Sequence, residues 1–514
     1  MTRNVTIDGT SLTIGSVRRV ARLGAKVALS PRAARRVAKC RRLLEKMVDR
    51  GDPIYGVTTG VGDFARIRIS TELGDELQRR IVVSHSAGYG EPKTIDAVRA
   101  AMLCRANTLA KGYSAVRLET LRSYIELLNA GVTPVVCEKG SVGASGDLSP
   151  LCQIAEVVMG HGETWYYGER VPGALALKKA GLAPVTLTFK EGLALINGSQ
   201  MMTGELALRC ADAENILKNA IIASAMTIDA LRGARSAFDA RIHELRAFPG
   251  QIAVAENVRR LTAGSDLLDS AGAAVQDAYS LRCTPQILGP SLDALAWVEH
   301  QVTIEMNSAA DNPLFHLEDG AHLAGGNFHG QAIAIAADLL AIALSEVASV
   351  SERRTNRLLN PALSGLPDFL VEGKGLNSGL MAAQFTAAAL VSENKVLAHP
   401  GVVDSIPLAA DTEDHVSMGS VSVRKLKEIC LNVTGVIAIE MLAAAQALDL
   451  RKPKRAGIGV RAAHRLIRGV VEHLTDDRIL HPDIAKIASL VESGQLVEAV
   501  ERKTGPLDPG SYTP

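Results

Sequence analysis

Five long stretches govern what this chain can fold into: 201–232, 291–309, 328–358, 379–398 and 419–450 are apolar and rich in alanine. Pro, Gly and Asn clusters such as Asn312-Pro313 and Asn360-Pro361 separate them. Each stretch is far longer than an ordinary strand, and its composition favours helix. Aromatic residues make up only 4% of the chain, so the core must be filled by small and aliphatic side chains. Such side chains suit long helices packed closely side by side. The expected fold class is mainly α, a long-helix bundle with a smaller mixed N-terminal part. A loose boundary near residue 200 separates a part at 1–200 from a helical bundle at 201–514.

Within the first part, Val5-Thr6-Ile7, Asp8-Gly9 and Leu12-Thr13-Ile14 predict a small β-hairpin. Ser30-Pro31 opens and Gly51 closes a basic amphipathic helix, whose Arg and Lys residues are expected on a solvated face. Leu118, Leu121, Ile125 and Leu128 repeat at helical spacing before Gly131. Ser149 and Pro150 look like an N-cap and first helical residue leading into Leu151, Ile154, Val157 and Val158.

The net charge of +1 argues against a global electrostatic role with nucleic acid or an anionic membrane. Seven scattered cysteines without a Cys-x-x-Cys argue against a disulfide framework and a zinc site, and suit a reducing cytoplasm. Met1 to Asp8 has no apolar core of signal-peptide length. The longest apolar stretch, 331–350, contains Asp338 and Glu346, which reads as a helix buried in a bundle or at a subunit interface, not a membrane span.

The chemistry concentrates in Gly140-Ser141-Val142-Gly143-Ala144-Ser145-Gly146-Asp147-Leu148-Ser149-Pro150-Leu151. Attack of the Gly146 amide nitrogen on the Ala144 carbonyl carbon closes a five-membered ring. Loss of water from the ring, and of a second from the Ser145 side chain, leaves a methylidene-imidazolone (MIO), an electron-poor alkene. Gly146 leaves the nitrogen unhindered, Ala144 adds little bulk and Ser145 supplies the departing hydroxyl. A helix N-terminus directly behind would favour developing negative charge. A serine-hydrolase role for Ser145 lacks the Gly-x-Ser-x-Gly elbow. Tyr55-Gly56-Val57-Thr58-Thr59-Gly60-Val61-Gly62 is glycine-rich yet fits neither a phosphate loop nor a dinucleotide loop. By itself it reads as a flexible surface loop.

The twelve-residue stretch resembles the signature of the histidine and aromatic amino-acid ammonia-lyase and aminomutase family. The likeness runs from about Ile54 to near Leu450. It implies MIO formed autocatalytically from Ala144, Ser145 and Gly146, no metal, and a homotetramer whose active sites combine segments of several subunits. Non-oxidative removal of ammonia from an L-α-amino acid is the implied reaction. Tyr55, in what resembles a mobile lid, matches the tyrosine that takes the β-proton. A phenol of pKa about 10 is a poor base at neutral pH, so the site would have to stabilise phenolate.

Ser84-His85 matches the position that chooses the substrate ring. In Lys190–Gly198, Asn197 would hydrogen-bond the cofactor or the substrate carboxylate, and equally reads as a helix C-cap. Gln276, Tyr279 and Arg282 recur at three-residue steps, predicting one helical surface that Pro285 ends soon after. The resemblance places Tyr279 among the catalytic groups and Gln276 with the substrate-binding ones. Arg282 offers a bidentate fork for an α-carboxylate. Asn307–Pro313 and Gly326–Gly330 also match, with Phe328 near the cofactor. Glu413 occupies the position facing the substrate ring, where the histidine-specific members carry Glu. These matches make histidine the expected substrate and urocanate the product. Thr58, Ser86 and Thr284 lean instead toward tyrosine, with deamination or 2,3-amino transfer as the alternative outcome.

Overall fold

A computed structural model describes residues 4–270 and 275–510; residues 1–3, 271–274 and 511–514 lie outside the description. The chain forms two compact units, one of residues 1–211, 299–338 and 400–424, the other of 212–298, 339–399 and 425–514. The long apolar stretches are helices as expected, at Gln200–Ala230, Thr284–Met306, Gln331–Leu359, Met381–Leu397 and Gly419–Leu450. The fold is mainly helical.

Every described sheet lies in the first unit. Val5–Ile7 pairs in parallel with Val27–Leu29, and Tyr89–Pro92 pairs antiparallel with Cys137–Lys139. Glu163–Tyr166 sits between Thr133–Pro134 and Glu169–Pro172. Leu314–Phe315 pairs with His322–Leu323. The expected N-terminal hairpin does not form. The Asp8 carboxylate accepts the amides of Thr10 and Ser11, turning the chain, and Thr13 caps the helix Ile14–Leu23 by accepting the Ser16 amide. The segment read as a second strand is thus the start of a helix.

Helix Pro31–Asp49 begins at the expected Ser30 cap, where the hydroxyl accepts the Ala33 amide. Its face is not wholly solvated. Arg41 is buried and donates to the Phe189 carbonyl and the Thr188 hydroxyl. Cys40, Leu44 and Met47 of this helix pack with Ile54, Val57 and Phe315, so the residues flanking Tyr55 are anchored in core. At the centre of the unit, helix Ile95–Ala110 is buried continuously from Ala100 to Ala110, including the charged Arg105.

Gln331–Leu359 and Gly419–Leu450 are long and apolar enough to span a membrane, yet most of each apolar window is buried in protein. Asp338 explains part of this: its carboxylate accepts the Val402 amide and the Ser422 hydroxyl inside the first unit. In the second unit the Arg354 guanidinium forks onto Glu440 at 2.5 and 2.8 Å, both groups fully buried. Thr227 and Ser351 donate to the same carboxylate.

Candidate active site

Ala144-Ser145-Gly146 lies in a tight backbone turn in which Gly143 and Gly146 face each other as an antiparallel pair. Gly146 has φ +75°, and a Cβ there would lie 2.3 Å from the Gly198 carbonyl. A Cβ on Gly143 would lie 2.2 Å from Ser417 Oγ. Side chains are therefore excluded on both flanks of the residues that would cyclise. The Asp147 amide donates to the Gly198 carbonyl at 2.8 Å.

The helix behind the turn is Leu148–Val158. It starts at Leu148, so Asp147 and not Ser149 holds the cap position. Ser149 instead accepts the Ala87 amide. Asp147 makes no capping bond of its own. Its buried carboxylate accepts from Ser141 and Ser420 and from the Met202 amide, while burial raises its pKa against those bonds.

The Ser145 hydroxyl donates to Glu413 at 2.6 Å. Glu413 is presented by a turn in which its backbone pairs with Leu408 through two hydrogen bonds. Ala409, Ala410 and Asp411, between them, all adopt the left-handed region with φ 49°, 52° and 62°. Such conformations are costly for L-residues and are sustained only where the surroundings impose them.

The Tyr55 hydroxyl oxygen accepts the Gly62 amide at 2.8 Å. Burial is the largest influence on its pKa and raises it; the Gly62 amide opposes, and the negative charge of Glu413 raises it further. Tyr55 is thus a weaker acid than a free phenol. The stretch after it is not a flexible surface loop at its base, because residues 56–60 are buried. Thr58 accepts the Ile54 amide and donates to the Asp52 carbonyl. Gln78 donates to the Gly56 carbonyl.

His85 ends helix Gly74–His85, with Nδ1 2.9 Å from the Ile81 carbonyl oxygen. A carbonyl only accepts, so Nδ1 carries the hydrogen and a neutral ring keeps Nε2 as an acceptor. Asn197 is the C-cap of helix Glu191–Ile196, as expected. Its Nδ2 donates to the Asn312 carbonyl at 3.3 Å, while its buried Oδ1 has no partner. Phe328 is half-buried in the turn before Gln331–Leu359. A Cβ on neighbouring Gly330 would meet Met202 and Ser417, the same serine that closes on Gly143.

Gln276, Tyr279 and Arg282 belong to the second unit. They do not share one helix: Gln276 lies in a bend and the helix is only Tyr279–Arg282. Nor does Pro285 end it. Pro285 sits in the first turn of the next helix, Thr284–Met306, where its missing N–H is harmless. The Arg282 guanidinium lies over the Tyr279 ring at 4.9 Å, and its buried Nε has no partner. Gln276, Asp277, Arg282 and Cys283 line a cavity of about 320 Å³.

These residues fit the proposed prosthetic group. The turn closes residues 143–146 on themselves, the Ser145 hydroxyl is hydrogen-bonded where it would depart, and an orphaned acceptor lies on Asn197, next to the Gly198 that pairs with Gly146. Sequence reasoning left several supporting residues without roles. Lys190, Asp311 and Asn312 stood inside matched segments; Lys190 pairs with Asp311 at 2.8 Å, both fully buried. Arg105 went unnoticed, although an arginine within the otherwise uncharged, largely apolar stretch 100–110 was a usable signal.

The aromatic amino acid lyase family description matches residues 12–469. The chain is 51% identical to a histidine ammonia-lyase of Alkaliphilus oremlandii over 501 residues, covering 97% of this chain and 99% of that one. Likeness to the histidine ammonia-lyase of Symbiobacterium thermophilum is 50%, with the same coverage. Among solved structures, a tyrosine aminomutase from Streptomyces globisporus superposes with TM-score 0.95 at 39% identity, covering 98% of this chain and 100% of that one. A histidine ammonia-lyase from Trypanosoma cruzi gives 0.92 at 39%, covering 99% and 98%.

Proposed function

This chain belongs to the aromatic amino acid lyase family, and from that premise we propose that it is a histidine ammonia-lyase, converting L-histidine to trans-urocanate and ammonia. The observation carrying the substrate is Glu413: a carboxylate beside Ser145, in a chain about half identical from end to end to histidine ammonia-lyases.

The reaction is difficult because ammonia leaves poorly and the β-hydrogen is weakly acidic. Ala144, Ser145 and Gly146 would form MIO, an electron-poor alkene that supplies an electrophile for the substrate amine and so improves the leaving group. Asn197 and Gly198 would flank it. Tyr55, as the phenolate that the Gly62 amide stabilises, takes the β-proton and becomes a neutral phenol. Arg282 offers its fork to the α-carboxylate, with Asn197, Gln276 and Tyr279 as further polar contacts. His85, with Nε2 free to accept, and Glu413 grip the ring, and Phe328 supplies an apolar wall. The active assembly is a cytoplasmic homotetramer sharing active sites between subunits. Exposed Ile335, Leu339 and Ile342 on Gln331–Leu359, and Phe385 and Val396 on Met381–Leu397, support self-association.

The likeness to tyrosine aminomutase favours a second reading, action on tyrosine with deamination or 2,3-amino transfer. Purified enzyme assayed in parallel with histidine, tyrosine and phenylalanine, with products identified by mass, separates the two. The expected order in kcat/KM is histidine, then tyrosine, then phenylalanine. Phenylalanine would leave two polar groups unpartnered, at about 1–3 kcal/mol each. Turnover of tyrosine with inert histidine, or a β-tyrosine product, overturns the substrate assignment.

A further inference from the structure

Arg105 is fully buried in the middle of helix Ile95–Ala110 and forms no ion pair among the described residues. Its guanidinium instead binds neutral oxygens. Nη1 donates to the Asn197 carbonyl at 2.9 Å, to Gln200 Oε1 at 2.8 Å and to the Ala310 carbonyl at 3.1 Å, and Nη2 donates to the Ala194 carbonyl. Ala194 and Asn197 carry two of the carbonyls that helix Glu191–Ile196 leaves unpaired at its C-terminus, where positive charge is favoured. Gln200 opens the next helix, Gln200–Ala230. One cation therefore clamps both sides of the joint at residues 197–199.

That joint is the floor under the tripeptide. Gly198 pairs with Gly146, accepts the Asp147 amide, and packs so closely that a Cβ on it would lie 2.7 Å from Arg105 Nη1 and 2.3 Å from the Ala310 carbonyl. Lys190, the neighbouring buried cation, is matched by Asp311; Arg105 feels that carboxylate only at longer range. Burial of an unmatched guanidinium is expensive and opposes its charge, as the lowered pKa of Arg105 shows. A neutral donor could cap two carbonyls at lower cost, so the charge itself calls for an explanation.

We propose that Arg105 is a positioning residue for the active site: it fixes Asn197 and the Gly198 platform so that Gly146 is held for ring closure, and it places positive potential beneath the tripeptide. The ring-closure part rests on the imidazolone reading of Ala144-Ser145-Gly146. Proton and water balance follow from that reading alone, since Arg105 neither gives nor takes a proton.

The test compares full-length wild type, Arg105→Lys, Arg105→Gln and Gln200→Leu by intact mass, circular dichroism and steady-state kinetics with histidine. Wild type should weigh two waters less than its sequence. If it does not, the imidazolone reading fails, whatever Arg105 does. Arg105→Gln should keep native helix content yet remain largely at the unprocessed mass, with kcat down about 100-fold and KM changed far less. Arg105→Lys should restore part of the processing, and Gln200→Leu should show a smaller loss in the same direction. Complete water loss and kcat within twofold of wild type in both Arg105 variants overturns the proposal. If Arg105→Gln fails to fold, Gln200→Leu decides: full processing and wild-type kcat there also overturn it.

Discussion

Two buried arginines show how differently the two units are held. In the second unit Arg354 is matched by Glu440 through two hydrogen bonds, with Thr227 and Ser351 completing the carboxylate's shell. The group is neutral overall and ties together long helices. In the first unit Arg105 is matched only by carbonyl and amide oxygens. A charge pair closed on itself contributes register and rigidity. A charge left open contributes a field as well. The difference teaches where to look for function in a largely apolar protein: at the buried charge whose partners do not cancel it.

The largest effect should come from breaking the first unit's chemistry without touching its packing. Ser145→Ala should abolish the loss of two waters in intact mass and lower kcat by more than about 1000-fold, while denaturant stability stays near wild type. Unprocessed protein with wild-type turnover would defeat the proposed chemistry. Tyr55→Phe comes next, lowering kcat by about 100- to 10,000-fold with little change in KM. Because burial and Glu413 raise the Tyr55 pKa above that of a free phenol, the reactive phenolate is scarce at neutral pH. Turnover should therefore rise with pH through the alkaline range. Glu413→Gln removes the repelling charge, so the rise should move to lower pH even as activity on histidine falls. A pH profile unmoved by that substitution would mean Tyr55 is not the titrating base.

The second unit should respond in stability instead. Glu440→Gln leaves Arg354 without its countercharge and should cost about 3–5 kcal/mol in urea unfolding, with processing of Ser145 intact. A comparable loss of processing would show that the two arginines are not doing different jobs. At the small end, Thr13→Ala removes a helix cap in the first unit. It should cost about 1 kcal/mol with kcat unchanged.

Periodicity made the bundle readable. Long alanine-rich runs admit only one regular structure, and their ends fell within a few residues of the expected ones, except where Thr284–Met306 continues through Pro290 and begins well before residue 291. Pro285 was read as ending the preceding helix, yet it sits in the first turn of this one, and Pro290 is carried inside it. The N-terminal hairpin misled for a related reason. Local turn chemistry at Asp8-Gly9 was real, but Val5–Ile7 found its partner at Val27–Leu29, beyond the reach of a local pattern. At the site, residues bearing distinctive chemistry, such as Ser145, Tyr55 and Glu413, could be picked from the sequence. Those that act by holding backbone, such as Gly198 and Asp147, could not be given that role, because their partners are carbonyls and amides that every residue possesses; Arg105 left only the signal of one charge in an apolar run.

The influence of Glu413 on the Tyr55 phenol carries a consequence for how such an enzyme can diverge. On the proposed reading the carboxylate that recognises the substrate ring also adds, after burial, to how tightly the base holds its proton. Selectivity and working pH are then linked through one residue. A lineage that exchanges this acid for an amide to accept another side chain acquires a more acidic tyrosine in the same mutational step, and with it a different range of cellular conditions in which to operate.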